Sequence, residues 1–141
     1  MKMKKIISIL VLFISQISFS QTKTGDDIIG KYMSENNEGM VEISKRDSKY
    51  YGKLVWNKNA DKLDFNNPSK TEQTKLLRGK ELFNDFIFDG TGVWHKGTIY
   101  DPKNGKTYDC KVTREENGNL NVRGYIGISL IGRTSYWRKV K

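Results

Sequence analysis

The sequence predicts an all-β fold, an up-and-down antiparallel β-barrel of about seven to eight strands with one short helix. Three observations carry that expectation. Segments of alternating apolar and polar residues follow one another from residue 40 to the C-terminus. Turn signals such as Asp101-Pro102-Lys103-Asn104-Gly105 and Asn117-Gly118 separate them at short intervals, which favours a meander of sequential strands. Closing that meander removes the exposed edges.

Residues 1–20 are expected to be a cleaved signal peptide. Lys2, Lys4 and Lys5 form a basic start, Ile6 to Ile14 is apolar except for Ser8, and Ser18-Phe19-Ser20 places small residues where a signal peptidase reads. The apolar run is well short of the roughly 20 residues that span a bilayer, so no transmembrane segment is expected after cleavage. No Cys follows it, which disfavours a lipid anchor. Cleavage after Ser20 leaves residues 21–141 as a single domain, exported to the periplasm or secreted.

Removing the leader and its three lysines leaves 121 residues and lowers the net charge from +9 to +6. Basic residues are interleaved with acids, the pattern of a solvated surface with weak attraction for anionic envelope surfaces. No nucleic-acid-binding motif is present. Cys110 is the only cysteine, so no internal disulfide can form. It alternates onto the face of Tyr108 and Val112 and reads as a small buried hydrophobe.

The elements follow in order. Thr24-Gly25-Asp26-Asp27 reads as a capped helical turn with acids in its first turn, and Ile28 and Ile29 fit a plug for one end of a core. Met40 to Lys45 and Lys49 to Asn57 are strands joined through Arg46-Asp47-Ser48, with Tyr50, Leu54 and Trp56 on one face of the second. A polar loop runs from Asn57 to Ser69. Ser69-Lys70-Thr71-Glu72 is a capping box that opens a helix through Leu76, Leu77 and Arg78, with Gly79 ending it. Strands are then expected at Leu82 to Phe88, Val93 to Tyr100, Lys106 to Arg114, Leu120 to Ile128 and Thr134 to Val140.

Gly30-Lys31-Tyr32 near the start and Gly132-Arg133-Thr134 with Trp137 near the end resemble the closure of lipocalin-like barrels. There, an aromatic after a Gly on the first strand packs against an Arg on the last. The resemblance implies barrel closure through Tyr32, Arg133 and Trp137. Longer blocks resemble an uncharacterised bacterial family, domain of unknown function 2147. They include Tyr51-Gly52-Lys53-Leu54-Val55-Trp56, Asn67-Pro68, Ile99 through Tyr108, and Val122-Arg123-Gly124-Tyr125-Ile126-Gly127. The family has Trp where this chain has Tyr32, and either ring is flat enough to stack on a guanidinium. The resemblance implies a lipocalin-like envelope protein and supplies no reaction.

Chemistry finds few handholds. His95 is the sole histidine, which excludes a histidine-clustered metal site. Ser129 lacks the spacing of a nucleophile elbow. Asp61, Asp64 and Asp89 sit in loops without calcium-loop spacing, and Asp101 opens its turn. The glycines are dispersed, so no cofactor-binding loop is present. No catalytic residue, metal site or cofactor is expected.

What remains is a polar-aromatic set, Trp56, Trp94, Tyr100, Tyr108, Arg123, Tyr125 and Arg133, offered as candidate ligand-binding residues. Alternation separates Leu120, Val122, Ile126 and Ile128 from Asn121, Arg123 and Tyr125. If the second face points inward, Arg123 needs an anionic partner; if outward, it is a surface residue. The expected function is non-enzymatic binding of a small amphipathic or anionic molecule in the envelope. The alternatives are a hydrolase or transferase acting on envelope lipid or glycan, and a basic module that docks on an envelope partner.

Overall fold

Eight antiparallel strands close into one barrel in sequence order, each pairing with its neighbours and β1 with β8. The computed structural model describes residues 23–141; the leader expected at residues 1–20 and its cleavage site lie outside them. The strands are β1 (Gly30–Met33), β2 (Gly39–Arg46), β3 (Lys49–Asn57), β4 (Glu81–Phe88), β5 (Val93–Asp101), β6 (Lys106–Arg114), β7 (Leu120–Tyr125) and β8 (Gly132–Val140). No helix among the described residues is long and apolar enough to cross a membrane.

The two barrel ends differ. At one end a 3-10 turn, Gly25–Ile28, follows Thr24, whose backbone N–H donates to the Asp27 carboxylate at 3.1 Å. Ile28 is buried, and its carbonyl accepts from the Tyr32 hydroxyl at 2.8 Å. Trp94 Nε1 donates to the Gly25 carbonyl at 3.0 Å, and the ring packs on Phe88. Above this plug, Val41, Ile43, Phe86, Cys110, Val112, Leu120 and Val122 fill the interior. Alternating inward residues from every strand thus make the core. Burial in that core pushes the Cys110 thiol up to about 12, which keeps it protonated.

The helix expected from Ser69 to Arg78 is instead one 3-10 turn, Glu72–Thr74. The residues after it extend and pair with the loop before it: Asp64 N–H donates to the Lys75 carbonyl at 3.0 Å, and Leu77 N–H to that of Lys62 at 2.9 Å. This pairing satisfies the backbone groups that a helix would have bonded internally. It also buries Leu77 and leaves Leu76 half exposed. The seventh strand ends at Tyr125, short of the expected Ile128, because residues 126–131 turn on themselves through bonds such as Ile131 N–H to the Ile128 carbonyl.

Candidate functional site

The end opposite the plug is open. It carries four connections, residues 34–38, 58–80, 102–105 and 126–131, and between them lies a cavity of about 910 Å³. Its walls include Leu54, Phe83, Ile99, Tyr108 and Trp137, with Trp137 edge-on to Phe83 at 5.3 Å between ring centroids. Gly124 faces this space. A Cβ there would meet Ile99 and Tyr108 at ordinary contact distances of 3.5 and 3.7 Å, so the missing side chain leaves room beyond them.

Polar groups ring the mouth. Lys103 pairs with Glu38 at 3.1 Å and Arg133 with Glu35 at 3.4 Å, joining the 34–38 connection to the β5–β6 turn and to the start of β8. The Lys103 hydrogen bond lowers the Glu38 pKa. Lys58 and Lys62 also line the mouth, and neither forms an ion pair with another described residue. Asn66 donates from its side chain to the Pro102 and Lys103 carbonyls at 3.0 and 3.1 Å, pinning the long connection to the β5–β6 turn. Gly105 in that turn has φ +71, and a Cβ there would lie 1.7 Å from the Asn66 carbonyl oxygen, so the close approach requires glycine.

The long connection is built on a carboxylate. Asp64 is fully buried and accepts from the Tyr100 hydroxyl at 2.6 Å, from the Asn67 side chain at 2.8 Å, and from the Lys80 ammonium at 3.0 Å. Lys80 also meets Glu72 at 2.7 Å. Burial opposes the charge on Lys80, but hydrogen bonds to Glu72 and Asp64 outweigh it and raise its pKa. Hydrogen bonds from Lys75 and Lys80 bring Glu72 down to about 2. Burial, then the bond to Asp64, raises the Tyr100 hydroxyl. Within this network, Asp64, Lys80 and the Tyr100 hydroxyl each therefore have a partner, as burial demands. In sequence Asp64 reads as a loop residue, with no local sign of this network. The local signal, Asp64 three residues before Asn67-Pro68, marks a turn and says nothing of burial.

The proposed ligand-binding set divides. Tyr100, Tyr108, Tyr125 and Arg133 line the cavity or its mouth. Trp56 does not, because a bulge between Met40 and Val41 pairs Val41 with Leu54 and Met40 with Trp56, turning the indole outward and Asn57 inward. Trp94 is buried at the plugged end. Arg123 lies opposite the buried Leu120 and Val122 and outside the cavity. Its Nε donates to the Ser129 carbonyl at 2.6 Å and its Nη1 to the Thr134 hydroxyl at 3.0 Å, bracing the β7–β8 connection. His95, on β5 opposite Ile87, does not line the cavity.

Arg133 does not take the place beside Tyr32 that was expected of it. Tyr32 is fully buried and pairs in register with Lys139, six residues beyond Arg133 along β8, so Arg133 stands at the open mouth with its side chain mostly exposed. Burial raises the Tyr32 pKa, and the positive charge of Arg114 at the end of β6 opposes the rise. Lys139 lies over the Tyr32 ring at 5.9 Å. Trp137 packs on Phe83 and donates to the Ser135 hydroxyl at 3.0 Å, without an arginine partner.

Residues 30–139 match the model of a family described as an uncharacterized protein conserved in bacteria (DUF2147). No curated protein matches the chain. Among solved structures, the chain is similar to protein HP1028 from the human pathogen Helicobacter pylori, which is described as belonging to the lipocalin family. Identity is 22%, coverage is 81% of this chain and 83% of that one, and the TM-score is 0.75.

Proposed function

The chain belongs to the DUF2147 family, and from its lipocalin-like barrel we propose that it is an exported protein that binds a small amphipathic molecule, anionic at one end, without transforming it. The cavity carries this reading. Its volume of about 910 Å³ lies within the range of small-molecule sites, and an apolar interior opens at a mouth ringed by polar and charged side chains. An apolar tail would lie along Phe83, Ile99 and Trp137, covered by Tyr108. A carboxylate or phosphate would stay at the rim near Arg133, Lys58 and Lys62, where a guanidinium can offer paired hydrogen bonds. Arg123, committed to the neighbouring loop, takes no part. The basic and apolar start of the sequence supports export, in which case native protein should have the mass of a chain beginning at Gln21.

Titration with a fluorescent fatty acid, followed by its own emission and by energy transfer from Trp137, tests the proposal. Gly124→Leu places a side chain in the cavity and should weaken binding by roughly tenfold or more. Arg133→Ala should weaken the fatty acid more than the matching fatty alcohol, by about two- to fivefold for a screened surface charge. If the wild type binds no amphiphile, or if Gly124→Leu binds as the wild type does, the cavity is not a ligand site.

A further inference from the structure

We propose that the β7–β8 connection seats in the surface of an anionic lipid bilayer, with the cavity mouth facing the membrane. Ile126, Ile128, Leu130 and Ile131 are exposed by 67, 57, 85 and 64%, so four of the six residues in this connection show aliphatic side chains to solvent. Such a concentration is unusual on a surface that meets only water. The loop has not simply failed to pack. Arg123 holds the Ser129 and Leu130 carbonyls, and the Ile126 N–H bonds to the Ile131 carbonyl at 3.2 Å, so the tip is presented in a defined shape.

The charge around the tip selects the partner. Arg123 and Arg133 flank the connection on β7 and β8, and although Arg133 meets Glu35 and Lys103 meets Glu38, Lys58 and Lys62 stand at the same mouth without an ion pair among the described residues. Apolar side chains between arginines match an interface with acyl chains below and anionic headgroups around it. A second copy fits less well, because four aliphatic side chains on one loop offer less than the roughly 800 Å² per partner that a stable protein interface buries. Phe65, 64% exposed on the 58–80 connection, adds a second apolar contact at the same end.

Ile126 and Ile131 also line the cavity mouth, so the apolar surface runs without a break from the tip into the binding space. An amphiphile could then pass between leaflet and cavity with little exposure to water. This exchange rests on the ligand-binding reading above; the docking itself does not.

Flotation of the purified protein with vesicles of equal parts phosphatidylglycerol and phosphatidylethanolamine, and with phosphatidylcholine vesicles, tests the docking. The wild type should float with the anionic vesicles, less at 0.5 M salt, and weakly with phosphatidylcholine. The paired substitution Ile128→Ser with Leu130→Ser removes tip side chains that do not line the cavity. It should lower the partition coefficient by at least about tenfold while leaving the thermal midpoint and fatty-acid titration unchanged. Ile29→Ser, an exposed aliphatic at the opposite end, should have no effect on flotation. Absence of wild-type flotation, or flotation undiminished in the paired variant, overturns the proposal. So does a wild-type dimer that the paired substitution dissociates, which would make the tip a self-association surface. Loss of flotation with fatty-acid binding intact separates failure at the tip from failure in the cavity.

Discussion

Removing the Asp64 carboxylate tests the architecture of the cavity rim most directly. In Asp64→Ala, Lys80 loses an anionic partner at 3.0 Å and the Tyr100 hydroxyl loses its acceptor at 2.6 Å, both in a region closed to water at the carboxylate. Losing a charge-assisted hydrogen bond costs about 1.5–3 kcal/mol, and a buried hydroxyl left unpaired adds about 1–3 kcal/mol. Lys80 keeps Glu72, which limits the damage, so a total of about 3–5 kcal/mol is expected, the usual cost of breaking a buried pair. In a chain of this size that lowers the thermal midpoint by roughly 10–20 °C. Urea unfolding at pH 7, analysed by linear extrapolation with the slope checked for constancy, measures it. Asp64→Asn keeps an acceptor for Tyr100 and should fall between the two, and Glu72→Ala, at the more exposed carboxylate, should do far less. A loss below about 1 kcal/mol for Asp64→Ala would refute the reasoning, because it would mean that the carboxylate is not buried among these partners.

Two further outcomes follow from the same geometry. Tyr32→Phe, which removes the buried hydroxyl bonded to the Ile28 carbonyl at the plugged end, should cost about 1 kcal/mol, whereas Arg133→Ala, at an exposed ion pair, should cost about 0.5 kcal/mol or less; equal losses in urea unfolding would contradict the closure described here. Acid should loosen the rim through Glu72, whose folded pKa is depressed from 4.5 to about 2. A depressed carboxylate stabilises the fold fully above its unfolded value, so this contribution should be present at pH 6 and fade as pH falls from about 4.5 towards 2. Glu72→Gln should flatten that part of the stability profile, and an unchanged profile would show that the Lys75 and Lys80 contacts do not hold in solution.

Period-two alternation and turn chemistry made the barrel legible because both are local. Alternation placed Tyr108, Cys110 and Val112 on one face, and Asp101-Pro102-Lys103-Asn104-Gly105 has the residues its turn needs: Asp101 accepts from the Lys103 N–H at 2.9 Å and the Gly105 N–H bonds to the Asp101 carbonyl at 2.8 Å. Thr24 and Asp27 likewise cap their turn within four residues of sequence. What lay beyond the sequence depended on partners distant along the chain. The capping signal at Ser69 lost to cross-loop bonds from Asp64 and Leu77, because a short helix gains little on its own and the extended pairing also buries Leu77. One bulge, with Val55 inserted opposite Met40 and Val41, reversed the facing of Trp56, since a single inserted residue inverts every later side chain.

The division is sharpest among the charged residues. Sequence alone determined that Arg123, Arg133 and Asp64 exist near turns and strands, but a side chain's work depends on what another segment brings to it. Register placed Lys139 rather than Arg133 opposite Tyr32, the β7–β8 carbonyls captured Arg123, and Tyr100 and Lys80 made a loop aspartate into a buried anchor. Only the closed barrel could decide these, because electrostatic and hydrogen-bond partners are chosen by distance in space, whereas alternation and turn preferences are chosen by distance along the chain.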